Sequence, residues 1–206
     1  MCVTEIVNHI LQIEHGFKHI NEGADKIIET LSKEHCYQLA IKMFDHEAYQ
    51  VRMLATALLG TLACNNGNAL KLLKEKVACD NNWRVQEMLA KAFDKICKMK
   101  GYEQSLPLIE EWLNNSNPNV CRAVTEGLRI WTNRPFFNDN PSIAISLISR
   151  HKGHQSDYLR KSVGNALCDI SKKHLELVRK ETAQWDLSNP SILFTYKLAM
   201  KHCKQT

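Results

Sequence analysis

Apolar residues return along this chain at intervals of four, and the same spacing is drawn four times. The copies run Val51-Arg52-x-x-Ala55-x-x-x-Leu59, Val85-Gln86-x-x-Leu89-x-x-x-Phe93, Val120-Cys121-x-x-Val124-x-x-x-Leu128 and Leu159-Arg160-x-x-Val163-x-x-x-Leu167. Apolar positions at i, i+4 and i+8 form one stripe on a helix and cannot form the alternating face of a strand. A polar turn precedes each copy: His46 to Tyr49, Asp80 to Asn82, Asn115 to Asn119, and Gln155 to Asp157. Such residues end one helix and cap the next. Shorter amphipathic runs lie between the copies, at Ala69–Leu73 and Ser105–Leu113, and predict a first helix paired with each striped one.

The copies start 34, 35 and 39 residues apart. Helix, turn, helix at that period is the spacing of an α-solenoid of HEAT-like repeats, so the expected fold is all-α. The expected organisation is a single domain over residues 1–206. Residues 1–40 supply capping helices (Glu5–His15 and Gly23–Leu31 by pattern), residues 41–188 four repeats, and residues 189–206 a partial terminal repeat after the break at Asn189-Pro190. The second helix of each pair is expected to line a concave face. Its positions off the stripe include Arg52, Arg84, Glu87, Lys91, Arg122, Glu126, Arg129, Arg160, Lys161 and Asn165, which together predict a basic groove. For Arg52 and Arg160 a second reading stands beside this one, in which an Arg directly after the first stripe residue makes a structural pairing.

Composition narrows the function. Of 206 residues 44% are hydrophobic, with only five Pro and eight Gly, which excludes collagen-like, low-complexity and wholly disordered chains. No run is long and apolar enough to span a bilayer, and Glu5, His9, Glu14 and His15 stand where a signal peptide needs an apolar core. A cytoplasmic, DNA-associated protein without a membrane partner is the expectation. The net charge of +5 is uneven: residues 1–100 hold 13 basic against 12 acidic side chains, residues 101–206 hold 14 against 10. That balance permits a polyanionic partner without demanding one. The eight cysteines, Cys2 to Cys203, lie 15 to 47 residues apart with no C-x-x-C pair, which points to free thiols in a reducing compartment. His15/His19 and His151/His154 lack a carboxylate or Cys at ligand spacing, so neither a metal nor another cofactor is expected.

Three stretches carry more than the generic repeat: Asp80–Phe93 (DNNWRVQEMLAKAF), Asn117–Trp131 (NPNVCRAVTEGLRIW) and Tyr158–Lys173 (YLRKSVGNALCDISKK). Together, over roughly residues 45–185, they resemble the HEAT-like-repeat DNA alkylation-repair family, the AlkD- and AlkC-type DNA glycosylases. The block from Arg122 to Arg129 is most similar to the AlkC type. The resemblance implies hydrolysis of the N-glycosidic bond of cationic alkylpurines, such as 3-methyladenine and 7-methylguanine, in duplex DNA. A base that already carries positive charge leaves readily, so the enzyme's task is to stabilise the developing sugar cation and place a water. The implied catalytic residues are Trp83 with Glu87, one turn apart on one helix face, and Glu126 in the next repeat. Arg122 is the implied backbone-holding residue, with Arg52, Arg84, Arg129, Arg160 and Lys161 as further DNA contacts. Asn165 stands where the AlkD type has a second cradle Trp, a gap that only Trp131 or Trp112 is available to fill.

Other readings accompany these. Trp83 alternatively caps the apolar seam between repeats, Glu87 pairs with Arg122 or Lys91, and Glu126 is a salt-bridged surface residue. At the level of the whole chain, the alternatives to a monomeric glycosylase are a non-catalytic relative that binds distorted or branched DNA, and a scaffold that binds a protein.

Overall fold

The computed structural model describes residues 2–202; Cys203 and the last residues of the expected terminal repeat lie outside that range. Among the described residues every regular element is helical, in the order α1 (Val3–Leu11), α2 (Lys18–Thr30), α3 (Lys33–Phe44), α4 (Tyr49–Leu62), α5 (Gly67–Glu75), α6 (Trp83–Lys100), α7 (Leu106–Leu113), α8 (Pro118–Gly127), α9 (Pro135–Asp139), α10 (Pro141–Ser149), α11 (Asp157–Thr182) and α12 (Pro190–Ala199). This is the all-α helical-repeat class that the striping predicts. The helices group into two compact units, α1 to α6 and α7 to α12, with the division between Lys100 and Gly101.

The stripes do what their spacing requires. Val51, Ala55 and Leu59 on α4, and Val85, Leu89 and Phe93 on α6, are all buried in the first unit. So are Val120 and Val124 on α8, with Leu128 at its C-cap, and Leu159, Val163 and Leu167 on α11 in the second. In the first unit α4 packs against α2, α3 and α6, and in the second α11 packs against α8, α10 and α12. Short polar side chains start the helices as expected. Ser32, Asn66, Asn117, Ser156 and Asn189 each accept a hydrogen bond from a backbone N–H in the first turn of the helix that follows. Each such cap contributes about 1 kcal/mol.

The N-terminal elements differ from the pattern-based boundaries. The first helix ends at Leu11 instead of reaching His15, and the second begins at Lys18, ahead of Gly23. Gly23 reads in the sequence as a helix start, but it is buried within α2. A Cβ there would come within 2.9 Å of Ile6 Cγ2, so the glycine lets α1 lie close on α2. The expected boundary at residue 41 falls inside α3, which the sequence pattern did not separate from its neighbours. In the second unit α8 stops at Gly127, and α9 and α10 follow, each with Pro at its start. Helix α11 runs on from the fourth stripe through a kink at His174.

Candidate nucleic-acid interface

The residue directly after the first stripe position is Arg, Gln, Cys and Arg in the four copies, and it plays one structural part in all of them. In the first unit Arg52 donates from Nη1 to the carbonyl oxygens of His46 (3.0 Å) and Glu47 (2.6 Å), and from Nε to Asp80 Oδ2 (2.6 Å). Gln86 donates from Nε2 to the carbonyls of Val77 (3.0 Å) and Asp80 (2.8 Å). In the second unit the Cys121 thiol donates to the carbonyls of Leu113 and Asn115, both at 3.2 Å. Arg160 donates to the carbonyls of His154 and Gln155 and pairs with Asp157. Each side chain thus reaches the carbonyl six positions earlier, in the turn that enters its own helix. A backbone carbonyl at such a bend lacks a helical partner, and the clamp satisfies it. For Arg52 and Arg160 the structural pairing is therefore what the geometry contains. Arg160 is only 8% exposed, with its guanidinium also 5.6 Å from the Phe194 ring.

The remaining basic candidates of the second unit divide three ways. Arg122 is 4% exposed, and its guanidinium lies 3.9 Å from the centroid of the Tyr158 ring. Arg129 donates to Glu126 Oε1 (2.9 Å) and to Asp169 Oδ2 (2.6 Å), while Asp169 also takes a hydrogen bond from Lys172 Nζ (2.6 Å). Burial works against charge on Arg129 and on Asp169, and these hydrogen bonds more than offset it. The Arg129 guanidinium is held more firmly protonated, and the Asp169 carboxyl is held below the ordinary carboxylate range. Glu126 thus belongs to a four-residue charge network. Lys161 alone of this group is exposed on α11.

In the first unit Trp83 opens α6 and is 53% exposed, so it does not cap a buried seam. Glu87 follows one turn later and is half-buried. Arg84 lies between them in sequence. Its guanidinium carbon is 4.6 Å from the Trp83 ring centroid and 5.0 Å from that of Tyr49, and its Nη2 donates to His15 Nδ1 at 3.1 Å. Tyr49 is fixed in turn by its hydroxyl, which donates to the Glu14 carbonyl at 2.6 Å. Tyr49 and His15 did not stand out in the sequence, because nothing in the repeat pattern ties them to Trp83. Trp131 and Trp112 do not complete an aromatic cradle, since both are fully buried. Trp131 donates from its indole N–H to the Thr125 carbonyl at 3.0 Å and packs on Phe137 at 4.9 Å. Asn165 is half-buried on α11. Among the described residues no cluster of His, Cys, Asp and Glu is arranged to hold a metal ion, and no helix is long and apolar enough to cross a membrane.

The repeating helical pairs agree with the sequence match. Residues 17–181 match the family described as DNA alkylation repair enzyme, and the chain belongs to that family. Among its solved relatives, AlkD2 from Streptococcus mutans is 46% identical, with 98% of each chain covered and a TM-score of 0.94. The smu.31 protein of Streptococcus mutans UA159 is 44% identical, with 97% of this chain and 98% of that one covered and a TM-score of 0.90. The alkylpurine DNA glycosylase AlkC of Pseudomonas fluorescens, solved bound to DNA containing an abasic site analog, shares the fold. It has a TM-score of 0.52 at 22% identity, over 97% of this chain and 61% of that one. The uncharacterized protein YhaZ of Bacillus subtilis (strain 168) is 34% identical over 92 residues, 43% of this chain. That stretch is 26% of the length of YhaZ.

Proposed function

We propose that this chain is a DNA-binding member of the alkylation-repair family that engages distorted or branched DNA, as a monomer inside the cell, through the Trp83 end of α6, without excising bases. The observation that carries this reading is the state of the groups that excision would recruit. Glu126 is committed to Arg129, Trp131 and Trp112 are core residues, and Asn165 offers no aromatic face. What remains, with Glu87 one turn on, is one exposed indole beside an arginine, a pair suited to stacking on an unpaired or tilted base while attracting phosphate.

A glycosylase acting on cationic alkylpurines is the second reading, favoured by Glu87 one turn after Trp83 on α6. In that reading Glu87 alone would stabilise the sugar cation and orient the water. The two are separated by measuring release of 3-methyladenine and 7-methylguanine from methylated duplex DNA, and binding to plain duplex, abasic duplex and a four-way junction. Wild type, Glu87→Gln and Trp83→Ala are compared. The expected result is no release above background, with salt-sensitive binding to the distorted forms that survives Glu87→Gln and weakens in Trp83→Ala. Release by wild type that collapses in Glu87→Gln overturns this in favour of the glycosylase. Absence of binding to every DNA form overturns both and leaves a scaffold for a protein partner.

A further inference from the structure

Arg84 is held as a surface arginine seldom is. Three separate segments fix it: the loop after α1 through His15, the first turn of α4 through Tyr49, and its own helix through Trp83. Its backbone N–H is tied as well, donating to Asn82 Oδ1 at 2.9 Å. The guanidinium therefore has a defined place against the indole, while over half of the Trp83 surface stays open to solvent.

A cation is drawn to an aromatic ring by the negative potential of its faces. With Arg84 against the ring, a second cation brought to Trp83 also meets the guanidinium's positive charge, and that repulsion offsets part of the attraction. A neutral base meets no such penalty and still stacks, and its phosphate is attracted by the same guanidinium. We propose that Arg84 is the specificity-determining residue of this face. It turns Trp83 from a site for positively charged bases into a stacking surface for neutral nucleotides. The inference extends the role given to Trp83 above and is tested independently of DNA binding and base release.

The test uses intrinsic fluorescence, because Trp83 is the exposed indole while Trp112, Trp131 and Trp185 are buried. Wild type and Arg84→Gln are titrated with guanosine monophosphate and 7-methylguanosine monophosphate in mildly acidic buffer, where the methylated base is cationic and the plain base neutral. The readout is the ratio of the two dissociation constants, in which the shared phosphate cancels. Arg84→Gln is expected to shift that ratio by about tenfold toward the methylated nucleotide, and Trp83→Ala, which removes the reporting indole, is the blank for any quenching of the buried tryptophans. A residue that merely supports the local fold would weaken both ligands together and leave the ratio unchanged, and that outcome overturns the proposal. Absence of saturable quenching in wild type and Arg84→Gln alike overturns it too, since a face that stacks no nucleotide has no preference to set.

Discussion

Arg129 Nε donates to Asp169 Oδ2 at 2.6 Å, closing a contact between residues forty apart in the chain. The pair ties the end of α8 to the middle of α11, and Glu126 and Lys172 extend it on either side. Asp169 is more acidic in the folded chain than in the unfolded one, so the unfolded state binds its proton first as pH falls. The stabilisation is therefore complete above the ordinary carboxylate range and is lost as pH drops through that range toward the lower folded value. Asp169→Asn is expected to cost about 2 kcal/mol at neutral pH, because it leaves the partly buried Arg129 short of a charged acceptor. Urea denaturation of both proteins at neutral and at acidic pH checks this. The gap between them should narrow in acid, and a gap that stays constant with pH would sink the assignment.

The clamp at the start of each striped helix predicts a ranking of costs. Arg160→Ala removes a buried guanidinium that serves two carbonyls and a carboxylate, and should destabilise by about 3 kcal/mol. Arg160→Lys should recover little, because an ammonium lacks the planar fork that reaches both carbonyls at once. Gln86→Ala, a neutral amide bonded to two carbonyls, should cost about 1 kcal/mol. Denaturant midpoints give the order directly. An Arg160→Ala protein as stable as wild type would show that the turn holds without its clamp.

The same position shows what the sequence can and cannot tell. The stripes were legible because burial acts on every copy alike: Val51, Val85, Val120 and Leu159 all end in the core. The two fates open to Arg52 and Arg160, groove or turn, look the same in sequence. The choice depends on where the preceding carbonyls point, which a list of residue types does not contain. Trp83 and Glu87 were singled out in the sequence only through their resemblance to a family motif, whereas Tyr49 and His15 meet Arg84 through tertiary contacts across 35 and 69 residues of chain. Gly23 misled because a glycine admitting a neighbouring helix and a glycine beginning a helix are the same letter.

Helix packing gives a paired test at two glycines. At Gly164 on α11 a Cβ would stand 2.5 Å from Leu198 Cβ and 3.1 Å from the Thr195 carbonyl oxygen, both on α12. Gly164→Ala must therefore push α12 away, at a cost of about 2 kcal/mol. Gly67, in the first turn of α5, has nothing within 4 Å of such a Cβ. Gly67→Ala should raise stability by about 0.5 kcal/mol, by restricting the unfolded chain. Thermal unfolding of the two variants should move in opposite directions, and a fall in both would mean that the α5 position is more crowded than its surroundings indicate.

Two tryptophans with opposite surroundings give the sharpest separation of fold from function. Trp131 is sealed, bonded through its indole N–H and stacked on Phe137, which itself meets Phe136 at 5.2 Å and Tyr102 at 6.5 Å. Trp131→Ala would empty an aromatic-sized volume at that cluster and strand the Thr125 carbonyl, costing about 4 kcal/mol. Trp83→Ala removes a largely exposed ring and leaves Arg84 its contacts with Tyr49 and His15, so its melting temperature should stay within a few degrees of wild type. DNA binding should follow the opposite order. The Trp83 variant is expected to lose about tenfold in affinity for distorted DNA, the size of one lost base-stacking contact. The Trp131 variant should retain affinity in whatever fraction stays folded. Were Trp83→Ala to bind as tightly as wild type, the first turn of α6 would no longer qualify as the nucleic-acid contact, and the exposed Lys161 on α11 would become the next residue to test.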